Sequence, residues 1–222
     1  MPIYKKINKK FFQQWTPEMA YILGFFAADG SMDTNPRGSQ YFSIQITDKK
    51  LLESIKKHLE SEHKISKRMN PEDTKPKYRL QIGSKDMCND LRKLGFDEAK
   101  TKTMPFPHVP KVLLPHFVRG YFDGDGGVWT GLIHKQRKTT LLQILTYFTS
   151  CSESFLRELQ KKLKENNVIK KGSIYSPKKG VFVLKFSKYD SFGLFEYMYK
   201  NISKDLYLKR KKVIFERYFS SI

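Results

Sequence analysis

The sequence has few cysteines, no long apolar run and a marked deficit of acidic residues. Two cysteines in 222 residues, Cys88 and Cys151, are too few for a disulfide framework or a cysteine-rich metal cluster. No apolar stretch reaches the roughly 18 residues that a transmembrane helix needs. The first twelve residues are basic and no apolar segment follows them, so no secretory signal is expected. These absences predict an intracellular protein, without choosing between the cytoplasm and an organelle such as a mitochondrion or chloroplast.

The charge balance points to the kind of partner. Lys and Arg total 42 against 22 for Asp and Glu, which gives a formal net charge of +20. A hydrophobic content of 39% is enough for a packed core, so the charge does not signify a disordered chain. An excess of this size favours a polyanionic partner, and nucleic acid is the first candidate. An anionic membrane surface is the alternative, disfavoured by the lack of an apolar span.

One short pattern occurs twice. Residues 20–31 read AYILGFFAADGS and residues 117–128 read FVRGYFDGDGGV. Each is an apolar stretch with a predicted helix that ends in Asp-Gly, at Asp29 in the first copy and Asp125 in the second. The proline and threonine at Thr16-Pro17 are typical of a helix start. Two similar helices ending in a carboxylate suggest one site built by pairing two similar halves.

The elements predicted after each copy follow a common order. In the first half they are a helix at 17–28, a turn-rich segment at 31–38, a strand at 40–47, a helix at 48–61, strands at 65–69 and 78–82, and a helix at 85–94. In the second half they are a helix at 115–124, strands at 127–132 and 139–149, a helix at 153–166, strands at 172–175 and 181–186, and a helix at 190–199. A proline-rich linker at about 104–115 separates them. The order predicts an internal duplication with halves 1–107 and 108–222.

Small residues recur four positions apart in both apolar helices. Gly24 and Ala28 in the first helix, and Gly120 and Gly124 in the second, would each lie on one helix face. Small side chains on a shared face allow two helix backbones to approach closely. The sequence therefore predicts that these four residues form a helix–helix interface.

The two aspartates lie where a helix disfavours negative charge. Asp29 and Asp125 end their helices, so the helix dipole opposes both carboxylates and a cation would relieve them. Oxygen-only ligands favour Mg²⁺ over zinc. The backbone carbonyls of Ala28 and Gly124 are additional candidate ligands. The alternative is a pair of ordinary surface aspartates beside turn glycines.

The two runs resemble the LAGLIDADG motifs of single-chain homing endonucleases. Residues 22–30, ILGFFAADG, are the first copy and residues 118–126, VRGYFDGDG, are the second and better match. The first copy departs at Ala27, where the motif usually has an acid. The resemblance implies an α+β fold of two pseudo-symmetric αββαββα repeats. The paired LAGLIDADG helices would lie at its centre, and two antiparallel sheets would form a DNA-binding saddle.

The resemblance also implies an activity. It is that of an intron-encoded, monomeric, site-specific DNA endonuclease that hydrolyses both strands across the minor groove of a long asymmetric target. Asp29 and Asp125 would be the catalytic and metal-binding residues, with Mg²⁺ as the cofactor and Mn²⁺ or Ca²⁺ as substitutes in binding. A catalytic lysine is implied late in each half, with Lys100 and Lys209 as the matches and Lys102 and Lys211 as rivals.

Candidate DNA contacts are polar residues on the strands and beside them. Side chains that alternate along a strand share one face and could enter the major groove, although Lys and Arg there equally suit phosphate contacts. The candidates are Arg37, Gln40, Gln45, Arg79, Gln81, Lys135, Arg137, Lys138 and Gln143. For Gln45, and for Thr149, the resemblance also implies a place near the metal.

Other functions on the same fold stay open at this point. An RNA maturase or a catalytically silent DNA-binding protein would keep the basic strands, but neither needs two unfavourably placed carboxylates. An intein would be expected to carry flanking splicing segments, which the sequence does not suggest. The five histidines form no convincing metal or general-base constellation by spacing; they are His58, His63, His108, His116 and His134.

Overall fold

The computed structural model describes residues 5–98, 103–133, 136, 139–202 and 205–221, which form two compact units. The first unit combines Met1–Glu98, Pro107–Gly124 and Ser203–Tyr207. The second combines Ala99–Phe106, Asp125–Ile202 and Leu208–Ile222. Each unit is therefore built from three separate segments of the chain. The repeat boundary at residue 107 is a statement about sequence order and stays a prediction.

Seven α-helices and eight strands lie within the described residues. Those that begin in the first unit are α1 (Pro17–Asp29), β1 (Gly30–Thr34), β2 (Gln40–Ile46), α2 (Lys49–His58), β3 (Ile65–Arg68), β4 (Lys77–Gly83), α3 (Lys85–Lys93) and α4 (Leu114–Asp125). Those of the second unit are β5 (Gly126–Ile133), β6 (Leu141–Ser150), α5 (Glu153–Glu165), β7 (Ser173–Lys178), β8 (Val181–Phe186), α6 (Lys188–Tyr199) and α7 (Lys209–Phe219). Short 3₁₀ turns occur at Phe11–Gln13 and Lys111–Leu113.

Each unit contains one four-stranded antiparallel sheet. The strand order is β1-β2-β4-β3 in the first and β5-β6-β8-β7 in the second. Buried side chains on one face of each sheet meet across the central strand pair, with Ile44 opposite Leu80 in the first sheet and Phe148 opposite Leu184 in the second. Helices α2 and α3 cover that face in the first unit, and α5 and α6 cover it in the second. The predicted mixed α and β fold with two antiparallel sheets is confirmed.

Helix α1 begins and ends for different reasons. The Thr16 side chain accepts a hydrogen bond from the Met19 backbone N–H at 3.1 Å, and Pro17 follows it, as the sequence predicts. At the other end Gly30 is extended, with φ −88° and ψ 158°, so the chain passes straight into β1. A Cβ on Gly30 would overlap the Phe26 ring. The glycine therefore allows close packing and does not form the left-handed cap that Asp-Gly suggests.

Three segments differ from the sequence prediction. Residues 31–38 were expected to be a turn, but 30–34 form an edge strand in which Met32 is buried between exposed Ser31 and Asp33. The proline-rich linker contains the 3₁₀ turn, and α4 begins already at Leu114, because proline is tolerated in the first turn of a helix. Helix α7 was not predicted, since its lysine-rich start conceals an apolar face.

Helices α1 and α4 touch backbone to backbone. A Cβ on Gly24 would overlap the carbonyl oxygen of Phe117 and lie 2.9 Å from its carbonyl carbon. Gly120 meets Tyr21 in the same reciprocal way, with 2.9 Å to the carbonyl carbon. Neither position has room for any side chain. Two glycines, one from each motif copy, therefore set the distance between the helices.

Gly24→Ala and Gly120→Ala are each expected to lower the free energy of unfolding by roughly 1–3 kcal/mol, because the new methyl group meets a backbone carbonyl. In an unobstructed helix the same change would stabilise by about 1 kcal/mol. Chemical denaturation of each variant measures the effect. Gly83→Ala is the control, since its Cβ would meet only the Tyr41 ring at an ordinary 3.4 Å. Stabilisation by Gly24→Ala would contradict the backbone contact.

Candidate active site

Asp29 is the last residue of α1, and its carboxylate lies against α4. A Cβ built on Gly124 would come 3.3 Å from Oδ2 of Asp29 and would overlap the Ala28 methyl group. The Asp29 side chain is exposed and Ala28 is half-buried. Gly124 therefore leaves the space in which this carboxylate sits. The four small residues predicted to form an interface all lie along the contact between α1 and α4 within the first unit.

Asp125 ends α4 and opens the second unit. It is half-buried, and β5 begins with the next residue, Gly126. The Gly126 carbonyl accepts a hydrogen bond of 2.6 Å from Nζ of Lys211. Lys211 is only 6% exposed and lies on α7, which packs against β5. A buried lysine side chain is thus fixed beside the residue that follows the second aspartate.

The two candidate lysines of the second half, Lys209 and Lys211, differ in burial. Lys209 is the first residue of α7 and is exposed. Its rival Lys211 is the one that reaches the start of β5. The first-half pair, Lys100 and Lys102, lies outside the described residues. The sequence alone could not separate Lys209 from Lys211, because helix α7 and its phase were not recognised.

The donor atoms at the two helix ends suit a hard divalent cation. Both carboxylates are accessible, and the last carbonyls of a helix, which here include those of Ala28 and Gly124, lack partners within the helix itself. Mg²⁺ typically takes one or two protein carboxylates and keeps several waters. Among the described residues, no group of three or more His, Cys, Asp or Glu side chains lies together. The oxygen donors therefore fit magnesium with few protein ligands.

A buried polar network surrounds the second motif copy. Arg119 is fully buried; its Nε donates to the Leu206 carbonyl at 3.1 Å and its Nη2 to Nδ1 of His116 at 3.1 Å. The same guanidinium lies 5.2 Å from the centre of the Tyr21 ring. The Tyr21 hydroxyl in turn donates to Oδ2 of Asp123, a residue only 1% exposed, at 2.7 Å. Charged and aromatic groups thus hold one another in a site without water access.

The first motif copy has no such network at the matching positions. Leu23 and Ala27 stand where the second copy has Arg119 and Asp123. The departure at Ala27 therefore goes with a second apolar replacement, and the two helices differ in their buried faces while keeping the terminal aspartates. Sequence reasoning missed the network, although an arginine inside a buried apolar helix was a visible signal.

His116 is uncharged in this network. Burial, reinforced by the neighbouring Arg119 charge, lowers the pKa of His116 to about 4. A neutral imidazole can accept the Arg119 N–H at Nδ1, whereas a protonated one cannot. The histidine therefore supports Arg119 only while it is deprotonated.

Three of the predicted DNA contacts share one face of the first sheet. Gln45, Arg79 and Gln81 lie on the face away from the helices, since their positions alternate with buried residues of β2 and β4. Nη2 of Arg79 donates to Oγ of Ser43 at 3.1 Å and lies 3.6 Å from Oδ2 of Asp33. The arginine side chain is thus oriented across the sheet before any ligand arrives.

The other predicted contacts are distributed differently. Gln40 does not share that face: its Oε1 accepts from Nη1 of Arg92 on α3 at 3.0 Å, because its position has the parity of buried Phe42. Arg37 lies exposed in the turn after β1. Gln143 is half-buried on β6, on the face away from its helices. Lys135, Arg137 and Lys138 lie outside the described residues.

The helices in the described part of the chain include none that is long and apolar enough to cross a membrane.

Comparison with known proteins gives one family match, to the first half of the chain. Residues 16–95 match the family model of the LAGLIDADG-like domain. The resemblance predicted from the two motifs is therefore confirmed for the first copy by sequence, although that copy is the less regular one. No curated protein matches the sequence.

Solved structures extend the likeness to most of the chain. The LAGLIDADG meganuclease I-AabMI, bound to uncleaved DNA, has a TM-score of 0.61 at 15% identity, covering 93% of this chain and 90% of that chain. The homing endonuclease I-WcaI, bound to its DNA recognition sequence, gives 0.59 at 15%, covering 92% and 90%. I-SmaMI, bound to an uncleaved DNA target with calcium ions, gives 0.56 at 15%, covering 87% of each. The chain has the two-repeat LAGLIDADG fold.

Replacing His116 with glutamine should reduce the acid sensitivity of the fold. The unfolded histidine takes up a proton near pH 6.5, while the folded one does so only near pH 4. Stability from this group is therefore complete above pH 6.5 and is lost as the pH falls toward 4. Between pH 7 and 5 the loss should be about 2 kcal/mol smaller in His116→Gln than in the wild type.

Denaturation curves at both pH values measure this difference. His108→Gln, at an exposed position, is the control for changing a histidine to glutamine elsewhere in the chain. An identical pH response in wild type and His116→Gln would show that the buried site does not exclude the proton.

Proposed function

We propose that this protein is a site-specific DNA endonuclease that hydrolyses both strands of a long, asymmetric double-stranded target across the minor groove. One observation carries the proposal: two helices in backbone contact at Gly24 and Gly120 each end in an accessible aspartate. A protein that only binds DNA has no use for two carboxylates facing a polyanion. Because both carboxylates and DNA are negatively charged, the aspartates would weaken binding and are better explained as metal ligands of a nuclease.

The net charge of +20 supports DNA as the substrate. Phosphate contacts by Lys and Arg release counterions and supply affinity without sequence preference. The polar residues Gln45, Arg79 and Gln81 lie on one sheet face and suit base-edge contacts. Three structures of similar fold are DNA complexes, which supports the same use of the fold here. We take the protein to act as a monomer, because one chain carries both motif copies.

Mg²⁺ is the proposed cofactor, held by Asp29 and Asp125 with backbone carbonyls as further donors. When bound, it would supply Lewis-acid polarisation of the phosphate and a more acidic water. Mn²⁺ or Ca²⁺ could replace it in binding, and I-SmaMI was studied on uncleaved DNA with calcium ions. The lack of a side chain on Gly124 leaves room for the Asp29 carboxylate. An intron-encoded origin and an intracellular location remain predictions from sequence.

The proposed part of Lys211 is electrostatic. Hydrolysis of a phosphodiester adds negative charge to the phosphorus oxygens in the transition state. A lysine ammonium in a buried setting stabilises such charge more than one in water does. Nζ of Lys211 is oriented by the Gly126 carbonyl, one residue after Asp125. We therefore assign the second-half catalytic lysine to Lys211 in preference to exposed Lys209.

Asp29→Asn and Asp125→Asn should each remove double-strand cleavage while leaving DNA binding within a few-fold of the wild type. Targets are first recovered by selecting cleaved sites from a randomised DNA library with Mg²⁺. Cleavage rates should fall about 10²-fold or more, because the amide is a poorer metal ligand, and residual product should be nicked. Binding is measured separately in Ca²⁺.

Full double-strand cutting by both variants would refute the carboxylate assignment. If the wild type yields no cleaved site but binds structured RNA tightly, the maturase alternative replaces the nuclease.

Lys211→Met should lower the cleavage rate by about 10²–10³-fold at saturating DNA, with little change in Kd. Lys209→Met is the matched control on the same helix and should alter the rate less than threefold. Single-turnover cleavage separates the rate from binding. A larger loss at Lys209 than at Lys211 would reverse the assignment. The unfolding midpoint of Lys211→Met must be checked, since the residue is buried.

A further inference from the structure

The two sheets differ in the chemistry of the face turned away from their helices. On β6, Leu145 and Tyr147 alternate with buried Ile144 and Phe148, so the first two point outward. The register places Trp129 of β5 opposite Leu145. We call this surface the outer face of the second sheet; it comprises Trp129, Leu141, Gln143, Leu145, Tyr147, Tyr175 and Lys185. On the first sheet the corresponding face carries mainly Ser, Gln and Arg.

The aromatic rings on this outer face are exposed yet held in place. Trp129 is 44% exposed and Tyr147 is 37% exposed. A Cβ on Gly131 would lie 2.8 Å from an atom of the Trp129 ring, and one on Gly127 would lie 2.7 Å from an atom of the Tyr147 ring. Each ring therefore lies along the sheet over a glycine. The apolar surface is formed before a partner binds, which reduces the entropy cost of binding.

The strands around this surface carry charge of one sign only. In the sequence, the stretches 126–150 and 173–186, which include the paired strands β5–β6 and β7–β8, contain six Lys or Arg and no Asp or Glu. Of these, Lys178 and Lys179 are exposed at the β7–β8 turn. An apolar surface on strands whose sequence holds basic but no acidic residues fits a polyanion that also presents apolar groups. The thymine C5-methyl is the apolar group of the DNA major groove.

We propose that the outer face of the second sheet recognises its half of the target through thymine methyl groups, with Trp129, Leu145 and Tyr147 making the apolar contacts. This inference rests on the proposed function. The first sheet, with Gln45, Arg79 and Gln81, reads its half by hydrogen bonds. The two half-sites are therefore recognised by different chemistry, and the one bound by the second unit is rich in thymine at the contacted positions.

Deoxyuridine substitution tests the proposal, because it removes the thymine methyl and keeps every hydrogen-bonding group. The probe is the selected target with thymines replaced by deoxyuridine in either the left or the right half. Binding is measured in Ca²⁺. Substitution in one half should weaken binding about fourfold for each methyl contacted, and substitution in the other should change it less than twofold.

Two variants assign the sensitive half to the second sheet. In Leu145→Ala the deoxyuridine effect should shrink toward no change, because the apolar partner of the methyl is gone. Gln81→Ala, on the first sheet, should weaken binding but keep the full deoxyuridine effect. Trp129→Ala, at a proposed contact position that is 44% exposed, is a second variant in case Leu145→Ala unfolds.

The outcomes separate this inference from the nuclease proposal. Failure to recover any DNA target overturns both. If a selected target is cleaved but deoxyuridine in either half leaves binding equally unchanged, the proposal of thymine-methyl recognition is overturned and the nuclease proposal is not. A deoxyuridine effect that survives both Leu145→Ala and Trp129→Ala also overturns the proposal of thymine-methyl recognition. Binding to vesicles of anionic phospholipid that Leu145→Ala abolishes, with no deoxyuridine effect, would assign the surface to membranes instead.

Discussion

The backbone contact between α1 and α4 is the constraint on which the candidate site depends. Gly24 and Gly120 each face a carbonyl of the other helix, so neither position has room for a side chain. Dispersion and burial then hold two apolar helices together along their length. Asp29 is brought against Gly124 only because this contact continues to the helix ends. A side chain at either glycine would move the carboxylate as well as the core.

Much of the fold was predictable because its elements carry local signals. Thr16-Pro17 marked the start of α1, and the match of Val181–Phe186 to a strand of the first half gave β8 with its observed bounds. Repetition of element order then gave the two-sheet architecture. Two elements were not predicted from the sequence. The edge strand β1 buries only one of its five side chains, and the apolar residues of helix α7 follow a run of charged residues. Short or charged segments depend on tertiary contacts that periodicity does not record.

The candidate site was predictable to a lesser degree, for a related reason. The aspartates and the small residues followed from a motif present in two copies, so each copy supported the other. Lys211 could be distinguished from Lys209 only by the phase of a helix that sequence reasoning did not find. Gln40 was grouped with Gln45 as a candidate DNA contact, but it has the opposite strand parity and its side chain accepts a hydrogen bond from Arg92 of α3. Its contact with DNA stays a prediction. Side-chain partners on other elements set such details.

The first compact unit is assembled from segments that lie far apart in the sequence, and this affects folding during synthesis. The Leu206 carbonyl accepts a hydrogen bond from buried Arg119, and Oδ1 of Asp205 lies 3.1 Å from Nε2 of His58. Residues 205 and 206 therefore complete a unit whose first residues come much earlier in the chain. Contacts so distant in sequence slow folding, because the loop must close before they contribute. During synthesis the early residues leave the ribosome first, yet their unit is unfinished until residue 206 emerges. The surfaces of the first unit that Asp205 and Leu206 contact therefore stay uncovered while residues 125–202, most of the second unit, are being synthesised.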